Sequence, residues 1–219
     1  MEKRDQLIKF GEDVEGYSIP VLNEREIRAA AGLMFLALFM SLMLILFEQD
    51  FMLVKYVIIV FLTDFIIRVF ISPRFAPVLI IGRLVVSNQV PEYVGAAPKK
   101  FAWKIGLALA SGMFLLLVVL NTYSTISAVT CFVCLLFLFC ESAFGICVGC
   151  WMHGLFYKHE AMLCPGETCK EVKKQAIQQT SRVQLLIVLG CIIYLILAMV
   201  LFNEYLREAP GSLREVVRY

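Results

Sequence analysis

Charge and histidine are scarce in this sequence. Only 17% of its 219 residues are charged, the net charge is +2, and His153 and His159 are the only histidines. So small a positive balance gives no case for a nucleic-acid partner, which would need a basic surface facing the phosphates. No cysteine precedes Cys131. There is no Ser-His-Asp order, no glycine-rich nucleotide loop and no carboxylate pair spaced for hydrolysis, so hydrolase and kinase machinery is missing and enzymatic activity is left open. The apolar segments lack the period-two alternation of barrel strands, which excludes a transmembrane β-barrel. The first 28 residues are mostly polar and charged and lead into a long apolar run, so no cleavable signal peptide is expected.

Apolar residues dominate what is there. They make up 60% of the chain, and the mean hydropathy is +0.81. Five runs approach or exceed the ~20 residues a helix needs to cross a bilayer: Ala29 to Phe47, Phe51 to Ile71, Ala102 to Asn121, Thr125 to about Val148, and Val183 to Phe202. The expected fold is therefore an all-α, polytopic helical membrane protein with a four-helix core (29–157), a cytoplasmic loop (158–182), a fifth C-terminal span (183–203) and a tail (204–219).

Lysine and arginine alternate between the connections. Lys3, Arg4, Lys9, Arg25 and Arg28 precede the first span. Lys55 alone follows it, then Arg74, Arg83, Lys99, Lys100 and Lys104 crowd the second connection. The third has none, and Lys158, Lys170, Lys173, Lys174 and Arg182 fill the fourth. The positive-inside rule then puts the N-terminus on the cytoplasmic side, with membrane lipid as the immediate partner. Arg207, Arg214 and Arg218 run against this pattern, so the fifth span is the weakest element of the topology.

The stretch "PRFAPVLIIGRLVVSN", Pro73 to Asn88, is too short to span and reads as an interfacial or re-entrant helix. "QVPEYVGAAPKKFAW" after it reads as a cytoplasmic loop. Asn23 with Glu26 three residues on has capping-box spacing and should start a helix that continues into the first span.

Charges inside apolar runs usually face protein and have partners. Asp64 and Arg68 are four apart and share a helix face, while Glu141 falls at a similar depth in the fourth run. An Asp64, Arg68 and Glu141 cluster is expected, either as a packing clamp or as a polar path for an anion that also uses Arg74.

The cysteines are clustered. Cys131, Cys134 and Cys191 lie in apolar helices, where a thiol packs as a small hydrophobe. "CVGC", Cys147 to Cys150, falls where the fourth run reaches the cytoplasm and is followed by His153 and then "CPGETC", Cys164 to Cys169. Thiolates so arranged suit zinc or another soft metal, with His153, Cys164 and Cys169 as further ligands. A CxxC at a helix end also suits dithiol redox chemistry or carriage of a sulfur species. A permanent disulfide does not suit the reducing cytoplasm. Cys131 and Cys134 are sixteen residues from the second pair, roughly 24 Å along a straight helix, too far for direct exchange.

"DFIIRVFISPRFAPV", "CESAFGICVGCWMHG" and "PVLNEREIRAAAG" together resemble a widespread family of small bacterial membrane proteins known as a domain of unknown function, over roughly residues 18 to 157. By motif match, the resemblance singles out Asp64, Arg68, Pro73, Arg74, Glu141, Cys147, Cys150 and Trp151. Family members found beside or fused to thioredoxin-like or rhodanese-like domains imply thiol or sulfur chemistry and a sulfur-transfer partner. A homo-oligomer is left open. The function expected is thiol redox or transfer of a sulfur species centred on Cys147 and Cys150. The alternatives are a soft-metal (zinc, copper, mercury) transporter or binding protein, and a structural protein with a zinc-clipped loop.

Overall fold

The computed structural model describes residues 10–15, 17, 19–156, 179–208 and 210–212. The chain enters through a short strand, β1 (Val21–Asn23), and turns at once into α1 (Glu24–Glu48). Asn23 is the N-cap: its side-chain oxygen accepts the Arg25 amide, and its side-chain amide donates to Glu26 Oε1 at 3.0 Å. The expected cap is therefore present, and the helix begins before the apolar run does. Gln49, in the left-handed conformation, ends α1, and the short turn after it brings α2 (Met52–Ile66) back alongside.

Each of the next two long helices widens into a π-helical stretch before it stops. Ile67–Ile71 prolongs α2, and Phe114–Val119 prolongs α4 (Ala96–Met113). Between them, a single turn at Pro73–Phe75 leads to the short helix α3 (Pro77–Val85) and to β2 (Tyr93–Gly95), which pairs antiparallel with β1. Helix α3 packs on the first half of α1. A Cβ at Gly82 would lie 2.6 Å from the Glu26 carbonyl oxygen, so only glycine permits this approach. The "QVPEYVGAAPKKFAW" stretch is thus not a loop throughout. It supplies β2 and then the first turns of α4, where Pro98 is tolerated because the first helical amides have no intrahelical acceptor.

Strand β3 (Thr122–Tyr123) precedes α5 (Thr125–Phe139), which widens into a third π-helical stretch, Cys140–Phe144. Gly145, at φ 67°, ends it, and a separate helix, α6 (Val148–Phe156), begins three residues later. Helix α7 (Arg182–Arg207) starts at Ser181 with a reciprocal capping box to Gln184, and the buried Gln184 also donates to the Arg74 carbonyl at 2.8 Å. At its far end the fully buried Lys55 ammonium donates to the Glu208 carbonyl and to Asn121. Beyond it, β4 (Gly211–Ser212) pairs parallel with β3.

The molecule is a helical membrane protein. Four helical stretches are long and apolar enough to cross a bilayer: Glu24–Glu48, Ala96–Val119, Thr125–Phe144 and Arg182–Arg207. Met52–Ile71 is of similar length but carries Lys55, Asp64 and Arg68, all three buried in protein. It forms the middle of the bundle, with α1 and α4 packed against it, whereas α7 packs on α2, α3 and the Pro73–Phe75 turn, its Tyr205 hydroxyl donates to the Val118 carbonyl at 2.8 Å, and most of its apolar surface is left uncovered. Cys164 and Cys169, the expected second thiol pair, lie outside the described residues.

Candidate functional site

Three lines of side chains converge on the end of the bundle where α1 and α4 begin. The first is Asp64 and Arg68, paired on one face of α2 as their spacing predicts, at 1% and 3% exposure. Asp64 Oδ1 also accepts the Val78 amide at 2.8 Å, so this carboxylate caps the first turn of α3. The Arg68 guanidinium lies between the rings of Phe65 and Trp103, 5.2 and 5.1 Å from their centroids. This arrangement stabilises a buried cation through the ring quadrupoles.

The second line is an ion-pair chain absent from the expected cluster. Lys99 Nζ lies 2.8 Å from Glu24 and 2.9 Å from Glu141. Glu141 therefore pairs with α4 and, through it, with α1; it does not join the Asp64–Arg68 pair. Sequence depth alone could not decide this, because equal depth on two helices leaves the choice of partner to their rotation. By sequence Lys99 is one of several cations in the second connection. The available signal was the position of Lys99 and Trp103 four residues apart after Pro98, which reads as one face of a starting helix.

The third line is the CVGC pair. It does not continue the fourth span, as expected; it opens α6. Cys147 occupies the N-cap position: its carbonyl accepts the Trp151 amide at 3.0 Å, and its sulfur accepts the Cys150 amide at 3.3 Å. Gly149 between them is required sterically, since a Cβ there would come within 2.5 Å of Ala102 Cβ on α4. Cys150 is 5% exposed, and Trp151 beside it is open to the surroundings.

The electrostatics of the two thiols differ. The hydrogen bond from the Cys150 thiol lowers the Cys147 pKa; burial and the Glu141 carboxylate oppose this, and the Lys99 ammonium and the Cys150 amide assist it, leaving the net direction downward. The Cys150 thiol is driven the other way by that same hydrogen bond and by burial. The two thiols are thus displaced in opposite directions, Cys147 toward the thiolate and Cys150 toward the protonated form.

A cavity of about 90 Å³ joins these groups. Arg68, Trp103, Glu141 and Cys147 line it, and so do Cys131 and Cys134 from α5. Cys147 thus shares one chamber with Cys131 and Cys134, although the chain between them is long. Arg74 is exposed and borders a separate depression with Arg83 and Glu26. Among the described residues no group of three or more His, Cys, Asp or Glu side chains is placed to hold a metal ion. The side chain of His153 lies outside the described set, as do Cys164 and Cys169, and with them the ligands that a zinc or other soft-metal site would add.

No curated protein and no solved structure matches the chain. The family model of a domain of unknown function, DUF4395, matches residues 22–158, a stretch that contains α1 to α6 and every described residue of this site, and the chain belongs to that family.

Proposed function

We propose that the protein is a thiol–disulfide exchange protein of the bacterial inner membrane, with Cys147 as the attacking sulfur and Cys150 as the resolving one. The observation that carries this reading is the position of Cys147 as N-cap of α6, its sulfur accepting the Cys150 amide. A helix N-terminus favours negative charge there, and the nearby Lys99 adds to it. The alternation of Lys and Arg supports an N-terminus on the cytoplasmic side.

In the exchange, the Cys147 thiolate attacks one sulfur of a partner disulfide. The new bond is a mixed disulfide, and the partner's other sulfur leaves as a thiolate. Cys150 then loses its proton and attacks Cys147, which releases the second partner thiolate and leaves a Cys147–Cys150 disulfide. The partner becomes a dithiol, and a thioredoxin-like protein has the required chemistry. The proton that Cys150 gives up passes to a departing partner thiolate.

The test is a redox titration of the purified full chain in glutathione buffers, with disulfides mapped by mass spectrometry. A single two-electron transition assigned to Cys147 and Cys150, lost in Cys147→Ser, supports the reading. Stoichiometric metal released on Cys147→Ser/Cys150→Ser substitution would replace it with the soft-metal reading, and a persulfide on Cys147 with sulfur transfer.

A further inference from the structure

The large apolar side chains exposed around the end of α5 and the start of α6 do not all serve one surface. Phe144, 63% exposed, meets Phe139 edge to face at 5.4 Å between ring centroids, and Phe139 in turn meets Phe35 on α1 at 5.5 Å. These rings follow two helices with the length and apolarity of membrane spans, so lipid covers them. Ile146 and Trp151 are different. They are 56% and 67% exposed and lie beyond Gly145, outside the span that ends at Phe144. Gly149 between them meets Ala102 on the first turns of α4, where Lys99, Lys100 and Lys104 are clustered, so both residues lie at the level of these cations and not of the acyl chains.

Both flank the attacking sulfur. Ile146 directly precedes Cys147, and Trp151 follows it by one helical turn, its amide donating to the Cys147 carbonyl at 3.0 Å. Helical side chains tilt toward the N-terminus of their helix, so a residue at position 151 covers the turn that holds Cys147. The exchange itself fixes what must come there. A mixed disulfide brings the two Cα atoms to roughly 4.4–6.8 Å, which carries the backbone on either side of a partner cysteine over positions 146 and 151. An exposed indole at that place is the residue type that most often supplies binding energy at interfaces, through the water it releases from an apolar partner surface.

We infer that Ile146 and Trp151 form the docking surface for the partner, and that the substrate is a protein disulfide whose cysteines are flanked by apolar residues. The inference rests on the thiol-exchange reading and adds the substrate class to it. Cys147 Sγ bonds to one partner sulfur and the other leaves as a thiolate, while Ile146 and Trp151 hold the residues beside the reacting cysteine.

The experiment uses the reduced full chain in lipid nanodiscs and two synthetic peptides, each with one intramolecular disulfide. They differ in the residues beside the cysteines, leucine and phenylalanine in one and serine and glycine in the other. Wild-type protein should favour the apolar peptide in kcat/KM by about tenfold, mostly through KM, the effect of one well-packed aromatic contact. That ratio should fall toward one in Trp151→Ala and in Ile146→Ser, and Trp151→Phe should keep most of it. Partition of the apolar peptide into lipid acts equally on wild type and variants, and a purely structural role would slow both peptides alike. A wild-type ratio near one overturns this inference and leaves the exchange reading standing, since both peptides react. A ratio that survives in Trp151→Ala/Ile146→Ser overturns it too, as recognition then lies elsewhere. Failure with both peptides and with a water-soluble aromatic disulfide removes both readings. Brominated acyl chains test the remaining occupant: if they quench the Trp151 emission, taken as the difference between wild type and Trp151→Phe, equally with and without saturating apolar peptide, then lipid covers this residue and the inference falls.

Discussion

Lys99 and Glu141 are 42 residues apart in sequence and form an ion pair of 2.9 Å, and the same ammonium holds Glu24 at 2.8 Å. One cation thus ties the start of α1 to the π-helical end of α5, directly beside the loop that delivers Cys147. Removing it would leave two carboxylates facing each other at low exposure. Lys99→Met should therefore destabilise the fold by about 3–5 kcal/mol, the cost of breaking a buried pair from one side. Lys99→Met/Glu141→Gln should recover part of the loss. Unfolding of the detergent-solubilised protein, followed by circular dichroism, measures both.

The opposite displacements of the two thiols predict ordered alkylation. Iodoacetamide should modify Cys147 at a rate that stays high below the ordinary thiol range near ~8.5, while Cys150 stays unreactive until Cys147 is blocked. The sign for stability follows from the lowered folded-state pKa of Cys147. Its thiolate contributes stability above the unfolded value, and that contribution is lost as pH falls through the lowered one. Mass spectrometry of the alkylated protein across a pH series reads the order. Equal rates at the two sulfurs would contradict the site geometry.

Gly149 faces Ala102 with no room for a methyl group. Gly149→Ala should push α6 away from α4, cost about 1–3 kcal/mol as overpacking, and slow alkylation of Cys147 as its hydrogen bond to the Cys150 amide is disturbed. Adding Ala102→Gly should restore much of both. A single variant with unchanged stability and reactivity would show that α6 does not depend on this contact.

Asp64 both neutralises Arg68 and accepts the Val78 amide. Asp64→Asn keeps an acceptor for the amide and leaves the arginine uncompensated, so it should cost about 3–5 kcal/mol. Asp64→Asn/Arg68→Met should cost clearly less than the sum of the single changes, since the two groups are in contact. A double-mutant cycle by chemical unfolding tests this.

Much of the fold was legible in the residues themselves. Helix identity and approximate length follow from long apolar runs, because hydrocarbon demands internally satisfied backbone over ~20 residues. The Asn23 cap and the Asp64–Arg68 pair follow from spacings of three and four, which are properties of any helix. These local rules operate within a few residues of the chain, and they determined the all-α membrane class, the start of α1 and one buried pair.

Tertiary structure alone decided which helix Glu141 faces, that Lys99 leaves the loop to join α4, and that Cys147 begins a helix instead of ending one. The physical reason is the same in each case. Partner choice depends on helix rotation and close approach, set by contacts such as Gly149 on Ala102 and Gly82 on Glu26, and these are made between segments distant in the chain. The cavity shared by Arg68, Trp103 and Cys147 is such a product of packing: each residue lies on a different helix or its cap, and no spacing within one segment encodes their meeting.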